Sequence, residues 1–216
     1  MSKNIGIDLG TTYCSIATID EAGRPVIVKN PSLKDSPKGI LTASCVMLSG
    51  KNIVIGESPR RMLGRTNKVV SRFKRDMGTK EKYHLGDREC EAKDLSTILL
   101  SKLREAAEKE LGEIGTAVVT IPANFDNEAR DQTMQAAIDA GLDVKNIINE
   151  PTAAALYYAY THGGLSGVYA IYDLGGGTFD ISIIKADGTD IEIISSNGIP
   201  KLGGVDFDQK LVELVR

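Results

Sequence analysis

Residues 171–180 read Ile171-Tyr-Asp-Leu-Gly-Gly-Gly-Thr-Phe-Asp180, and the fold turns on them. An apolar run from Val168 to Tyr172 delivers Asp173 to a turn containing Gly175, Gly176 and Gly177. Thr178 follows, and an alternating run from Phe179 to Ile184 leads away. Glycines let a backbone take positive φ and approach a ligand with no Cβ in the way. A carboxylate and a hydroxyl beside such a turn suit a magnesium-bound phosphate, because successive N–H groups form an anion-binding concavity. Taken alone, the stretch reads equally well as a β-hairpin with a glycine-rich turn. The beginning of the chain breaks the tie. Residues 4–20 place Asp8, Leu9 and Gly10 after a short apolar strand. Thr11, Thr12 and Tyr13 complete a tight turn, and a return strand runs on towards Asp20. The copies begin at Asp8 and Asp173, and a spacing of 165 residues marks a duplicated unit rather than a solenoid period.

Composition narrows the class. The chain has 216 residues, 42% of them hydrophobic and 25% charged, as expected of one large or two small globular domains. A net charge of −3 gives no reason to expect nucleic acid or an anionic membrane as partner. No apolar span approaches membrane length, and no secretory signal or N-x-Ser/Thr acceptor is present. Cys14, Cys45 and Cys90 are odd in number and lack metal-ligand spacing, so they read as reduced, mostly buried thiols with a cytoplasmic home. His84 and His162 stand apart beside glycines and read as loop residues.

Between the two turns the texture changes. A turn at residues 21–25 leads to a third strand, Val26 to Val28. Residues 30–60 carry Pro31, Pro37, Gly39, Gly50, Gly56 and Pro59 around β-like runs at 43–48 and 52–55, the pattern of a small β-containing insertion. Residues 60–82 are basic and read mostly as a solvated face, with Lys74 the exception. Asp94 is placed to cap a helix through Leu95, Leu99, Leu103 and Ala107 that ends at Gly112, with Glu105 and Lys109 as an i,i+4 pair. A buried-type strand, 116–121, closes at Pro122. Asp126 or Asn127 caps a helix running to Ala140, 144–148 is another strand, and Pro151 starts a helix that ends at Gly163 and Gly164. The hinge between lobes falls there. Beyond the second turn come a strand at 191–196, a loop at 198–204 and a last helix capped by Asp206. Its apolar residues Phe207, Leu211, Val212, Leu214 and Val215 have no following element to cover them. A hairpin and one helix cannot bury a lobe's core, so the chain reads as cut short at Arg216.

Strands alternating with helices indicate a mixed α/β sheet with ligands at the carboxyl ends of strands. Two related Asp-Leu-Gly turns suggest two lobes gripping one polyphosphate. Neither G-x-x-x-x-G-K-[ST] nor G-x-G-x-x-G opening a helix occurs, which argues against P-loop and Rossmann enzymes.

These residues carry a resemblance. The ordered set 7–12, 73–75, 121–123, 148–154, 173–180, 202–204 and 206–208 resembles the ATPase domain of DnaK-type chaperones of the heat-shock protein 70 family, nearly end to end. The short segment after Lys74 and the run Phe73-Lys-Arg-Asp-Met-Gly78 are most similar to the HscC-like branch. The resemblance implies an actin-like ATPase (ribonuclease H-like) fold. Residues 1–164 would form a complete first lobe, with an insertion subdomain at about 38–92, and 165–216 the beginning of the second. It implies ATP/ADP and Mg²⁺. Gly10, Thr11, Thr12 and Tyr13 would meet the phosphates, Asp8 and Asp173 would hold the metal through water, and Gly175, Gly176, Gly177 and Thr178 would wrap the phosphates from the other side. Lys74 would stabilise γ-phosphoryl charge, while Glu150 and Asp180 would orient or deprotonate the attacking water.

Each role has a plainer counterpart: Glu150 as a carboxylate at a helix start, Lys74 as surface charge, Asp180 as a hairpin residue. Pro122 and Arg130 match positions that relay nucleotide state, and a strand terminator and a helix-surface charge explain them nearly as well. By the same resemblance the full-length protein is a stress-response chaperone coupling Mg-ATP hydrolysis to binding of unfolded peptides, with a J-domain protein and a nucleotide exchange factor as partners. This chain, lacking the adenosine face, is expected to hydrolyse ATP weakly or not at all. A small-molecule kinase of the actin-like superfamily and a non-catalytic partner-binding lobe are the alternatives.

Overall fold

The structure is a computed structural model and describes residues 2–30 and 39–215. Pro31 and Pro37, read above as part of the insertion, and Arg216, read as the abrupt end of the last helix, lie outside the described residues. The chain forms two compact units, Met1–Val119 with Asp126–Ile147, and Thr120–Phe125 with Ile148–Arg216.

The first unit is built on a mixed sheet. Strand β1 (Lys3–Leu9) pairs antiparallel with β2 (Tyr13–Ile19), which pairs antiparallel with β3 (Pro25–Ile27) and, near its start, with β4 (Thr42–Ala43). On the other side β1 runs parallel to β10 (Ile114–Ile121), and β11 (Asp143–Asn149) completes the order β11-β10-β1-β2-β3. The period-2 burial of Ile5, Ile7 and Leu9, repeated at Ala117, Val119 and Ile121, makes one face of β1 and β10 core. The insertion folds as a three-stranded sheet, β6 (Asn52–Ile55), β5 (Cys45–Ser49) and β7 (Val69–Ser71), with the short helix α1 (Glu57–Arg60) and a hairpin of β8 (Tyr83–Leu85) and β9 (Arg88–Cys90). His84 therefore lies on a strand rather than a loop, because the glycine beside it, Gly86, makes the hairpin turn at φ +66°.

Helix α2 (Ala92–Leu111) buries Leu95, Leu99, Leu100, Leu103 and Ala107, the 3.6-residue stripe, and packs against α3 (Asn127–Asp139). Two local readings are corrected here. The N-cap of α2 is Glu91. Asp94 sits three residues inside and its carboxylate accepts from the Glu91 backbone N–H at 2.8 Å, because the capping box uses its third helical residue that way. Glu105 pairs at 2.7 Å with Lys102, one turn before it, rather than with Lys109, one turn after it. Asp126 caps α3 as read, accepting from Ala129 N–H at 2.8 Å.

The second unit is an antiparallel meander of β12 (Leu165–Leu174), β13 (Phe179–Gly188) and β14 (Asp190–Ile199). Helix α4 (Glu150–His162) starts at Pro151 and ends on Gly163 in the left-handed region at φ 76°. It covers one sheet face: Ala155 and Ala159 meet Leu165, Ile184 and Ala186, with Tyr169, Ile171, Ile191 and Ile193 packed around them. His162 closes α4, stacked on Tyr158 at 3.8 Å, so it too is helical rather than in a loop. On the opposite face Val168, Tyr172, Leu174 and Ile181 are exposed. Helix α5 (Gly204–Val215) begins two residues before Asp206, which sits in its first turn and accepts from Gly203 N–H at 2.9 Å instead of capping it. None of the described residues of α5 is buried.

Candidate functional site

The two glycine turns share one geometry. In the first unit Asp8 lies opposite Ser15 and Leu9 opposite Cys14, leaving Gly10 to Tyr13 as the connection. In the second, Asp173 lies opposite Asp180 and Leu174 opposite Phe179, leaving Gly175 to Thr178. Both hairpins therefore have the same register and the same four-residue turn. The plainer hairpin reading therefore holds for both turns.

Each turn is tight for a local reason. A Cβ on Gly10 would stand 2.0 Å from the Tyr13 carbonyl oxygen, so no other residue fits without moving the chain. The Gly10 carbonyl accepts from the Ser44 hydroxyl at 2.6 Å, and the Thr12 carbonyl accepts from the Ser44 backbone N–H at 2.8 Å. Thr11 is buried, and the Thr12 hydroxyl oxygen is buried with no hydrogen-bond partner. An orphaned buried hydroxyl costs about 1–3 kcal/mol, a penalty that a phosphate or metal-bound water at the turn would relieve. The Arg60 guanidinium sits 5.7 Å from the centre of the Tyr13 ring and is held by Glu57 at 3.1 Å.

In the second unit the turn is clasped by the start of α5. Gly204 N–H donates to the Gly175 carbonyl and Val205 N–H to the Gly176 carbonyl, both at 3.0 Å. A Cβ on Gly203 would stand 2.5 Å from Gly177 N and 2.6 Å from Gly176 C. Gly198 faces Asp180 in register, and a Cβ there would meet the Phe179 carbonyl at 2.3 Å and an Asp180 carboxylate oxygen at 2.8 Å. Gly198 is a structural member of the site outside the motifs read from the chain, and Gly203, within the 202–204 motif, gains its structural role here. The signal available was the density of glycines in 198–204. Asp180 is only 2% exposed and stands across the strand pair from Asp173. Like charges directly opposite are destabilising, which a cation between carboxylates offsets.

Lys74 lies in the 3-10 turn Phe73–Asp76 and is 4% exposed, in contrast to Arg60, Arg61, Arg65, Lys68 and Lys80 of the same basic run, which are exposed. A buried ammonium implies specific partners rather than a solvated face. Both Lys74 and Asp8 act on the buried Cys14 thiol, Asp8 raising its pKa and Lys74 lowering it, so both lie within electrostatic reach of the first turn. Burial dominates and pushes Cys14 up to about 11; Cys45 is pushed to about 11 by the same cause. The thiols are free and buried, as read.

Asp8, Gly10 to Tyr13 and Lys74 thus gather in the first unit. Asp173, Gly175 to Thr178 and Asp180 gather in the second, where Glu150 is the first residue of α4 beside the Pro151 start. Among the described residues no His/Cys/Asp/Glu group has the composition of an all-protein metal cage. Mg²⁺ keeps several waters and does not require one. No helix among the described residues is long and apolar enough to cross a membrane.

The model of the Hsp70 protein family matches residues 4–85 and 80–216. The chain is 41% identical over 216 residues to the chaperone protein DnaK of Ureaplasma urealyticum serovar 10, covering 98% of this chain and 35% of that protein. It is 39% identical over 211 residues to that of Metamycoplasma hominis, covering 97% of this chain and 34% of the relative. For Mycoplasma mobile the figures are 39% over 212 residues, 98% and 34%. The chain spans about a third of the length of these curated relatives. None of these matches supports a small-molecule kinase. With the family model covering both glycine turns, the Lys74 segment and the helix that begins at Glu150, the chain belongs to the Hsp70 family.

Proposed function

We propose that this chain is an ATP-binding portion of a DnaK-type chaperone. The observation that carries the reading is the repetition of one hairpin register and one four-residue turn at Asp8 and Asp173. The strand order β11-β10-β1-β2-β3, with β1 parallel to β10, supports an actin-like (ribonuclease H-like) lobe. In this reading residues 1–164 are the first lobe, with the insertion at about 38–92, and 165–216 begin the second. By contacts, however, α4 packs on the second unit's sheet. The short segment after Lys74 favours the HscC-like branch.

The residues fit a magnesium-bound polyphosphate. The Thr12 hydroxyl needs a partner, the Gly10 and Gly203 positions admit no side chain, and Asp173 faces Asp180. Asp8 in the first unit and Asp173 in the second are each proposed as metal-shell carboxylates. A bound Mg²⁺ would neutralise charge on the phosphate oxygens. The turns Gly10 to Tyr13 and Gly175 to Thr178, the second closed by the Gly175 N–H donating to the Thr178 carbonyl at 3.0 Å, orient the phosphate chain, Lys74 balances γ-phosphoryl charge, and Glu150 and Asp180 hold the proton of the attacking water. Positioning and electrostatics of this kind suffice for phosphoryl transfer, with no covalent nucleophile. The whole protein is then a cytoplasmic chaperone coupling ATP hydrolysis to unfolded polypeptides with a J-domain protein and an exchange factor.

Isothermal titration with Mg-ATP tests the reading. Binding that falls at least about tenfold in Asp8→Asn and Thr12→Val, with folding intact by circular dichroism, supports it. Binding indifferent to both substitutions removes the phosphate turn from the account.

A further inference from the structure

The turn that carries Lys74 is held in a backbone conformation it would not adopt by itself. Arg72, the residue before it, has φ 65°, the sole positive-φ non-glycine among the described residues. Such a residue costs of order 1–3 kcal/mol and persists only where the surroundings over-determine it. Three contacts brace the chain that follows it, at Asp76 and Gly78. The Tyr83 hydroxyl on β8 donates to the Asp76 carboxylate at the end of the turn. The Gly78 backbone N–H donates to the Gln132 side-chain oxygen on α3 at 2.9 Å, while the Gln132 amide nitrogen donates to Glu128 at 3.1 Å and so fixes which end of the amide faces Gly78. Gly78 itself, at φ +82°, rests so closely on α3 that a Cβ would stand 2.9 Å from the Ala129 nitrogen. Phe73 and Met77, on either side of the clasp, are buried.

We propose that Tyr83 and Gln132 are positioning residues for Lys74: together they lock the strained Phe73–Asp76 turn and so hold the buried ammonium within reach of the first glycine turn. The inference rests on the reading of Lys74 as the group that meets the γ-phosphoryl. It assigns a further purpose to the β8–β9 hairpin, whose Leu85 and Cys90 are already buried. The hairpin brings Tyr83 back onto Asp76 across seven residues of chain.

Two measurements test it separately from that reading. The first is reductive dimethylation with formaldehyde and cyanoborohydride, followed by mass spectrometry. Lys74 should be protected relative to the exposed Lys80, and Tyr83→Phe or Gln132→Leu should raise its labelling about three- to tenfold with Lys80 unchanged, the effect expected of one lost hydrogen bond. Unchanged Lys74 labelling in both folded variants overturns the proposal. The second is the ratio of Mg-ATP to Mg-ADP affinity by titration calorimetry. Lys74→Ala should abolish the preference for ATP, and Tyr83→Phe should reduce it about threefold without weakening ADP. Equal weakening for both nucleotides means a general structural role and overturns the proposal. If Lys74→Ala abolishes the preference and Tyr83→Phe leaves it intact, positioning fails while the Lys74 reading stands. If Lys74→Ala leaves it intact, the Lys74 reading fails and the labelling result alone decides whether the clasp exists.

Discussion

The two glycine turns are near copies in register and length, yet they are braced in different ways. The first lies between strands whose Ile7, Leu9, Cys14 and Ile16 are buried, and its carbonyls are held by the side chain and backbone of Ser44, from the loop between β4 and β5. The second has its Gly175 and Gly176 carbonyls held by the backbone N–H groups of Gly204 and Val205 at the start of α5, a helix that buries none of its described residues. Its sheet is covered on one face by α4 and leaves Val168 and Tyr172 exposed on the other, at 64% and 67%. The same turn can thus be seated in a finished core or on a half-covered sheet. The turn geometry is local, and its stability is not.

The largest expected effect sharpens that contrast. Gly10→Ala should cost roughly 4 kcal/mol, because its Cβ would collide with backbone at 2.0 Å, and should lower amide protection across the whole first unit. Gly203→Ala, with a clash of 2.5 Å, should loosen the second turn and the start of α5 while protection in β1 and β10 is unchanged. Hydrogen exchange with mass spectrometry separates the two, and a first unit that loosens with Gly203→Ala would erase the distinction between them.

Next comes Leu99→Ala in α2, a fully buried side chain. It should cost about 3 kcal/mol by chemical denaturation, with the loss confined to first-unit peptides in hydrogen exchange.

A pH effect follows from the thiols, all of which lie in the first unit. Burial raises Cys14 from an ordinary 9.0 to about 11. Below pH 9 the thiol is protonated whether the chain is folded or not, and contributes nothing to the slope. Between pH 9 and 11 the unfolded chain loses its proton first and is favoured, so stability falls with rising pH. Cys14→Ala should remove roughly 2 kcal/mol of that fall, read from urea melts at pH 8 and pH 11. Second-unit peptides should show none of it.

Ser44→Ala should cost about 1 kcal/mol and raise exchange at Gly10 to Cys14, measurable by thermal melts and exchange together. Smallest is Leu214→Ser on α5, at 81% exposure, expected to change stability by less than about 0.5 kcal/mol. A larger destabilisation would show that α5 is covered in solution.

Much of this was legible along the chain because it repeats at short range. A short apolar run before Asp-Leu-Gly marked β1, alternation marked β2 and β13, and a buried-type run closed by Pro122 marked β10; the i, i+3, i+4 stripe marked α2; Asp126, Pro151, Gly112 and Gly163 marked helix ends by their own backbone chemistry. Local rules also erred locally. Asp94 and Asp206 read as caps in sequence but lie inside their helices, because a carboxylate three residues into a capping box looks the same in sequence as one before it.

What the amino-acid sequence determined by itself is the pair of Asp-Leu-Gly turns, the mixed α/β class and the ordered motifs that mark the family, since each depends on neighbours within a few residues. What only the tertiary structure decided is which of many similar groups each long-range contact selects. The 73–75 motif picks Lys74 out of a basic run, but its burial follows only once Phe73 anchors its turn and Tyr83 and Gln132 close on it. Gly203 is one glycine in a loop until it meets Gly176 and Gly177. Charge and glycine content are read one residue at a time, whereas burial is a property of everything that packs around a residue.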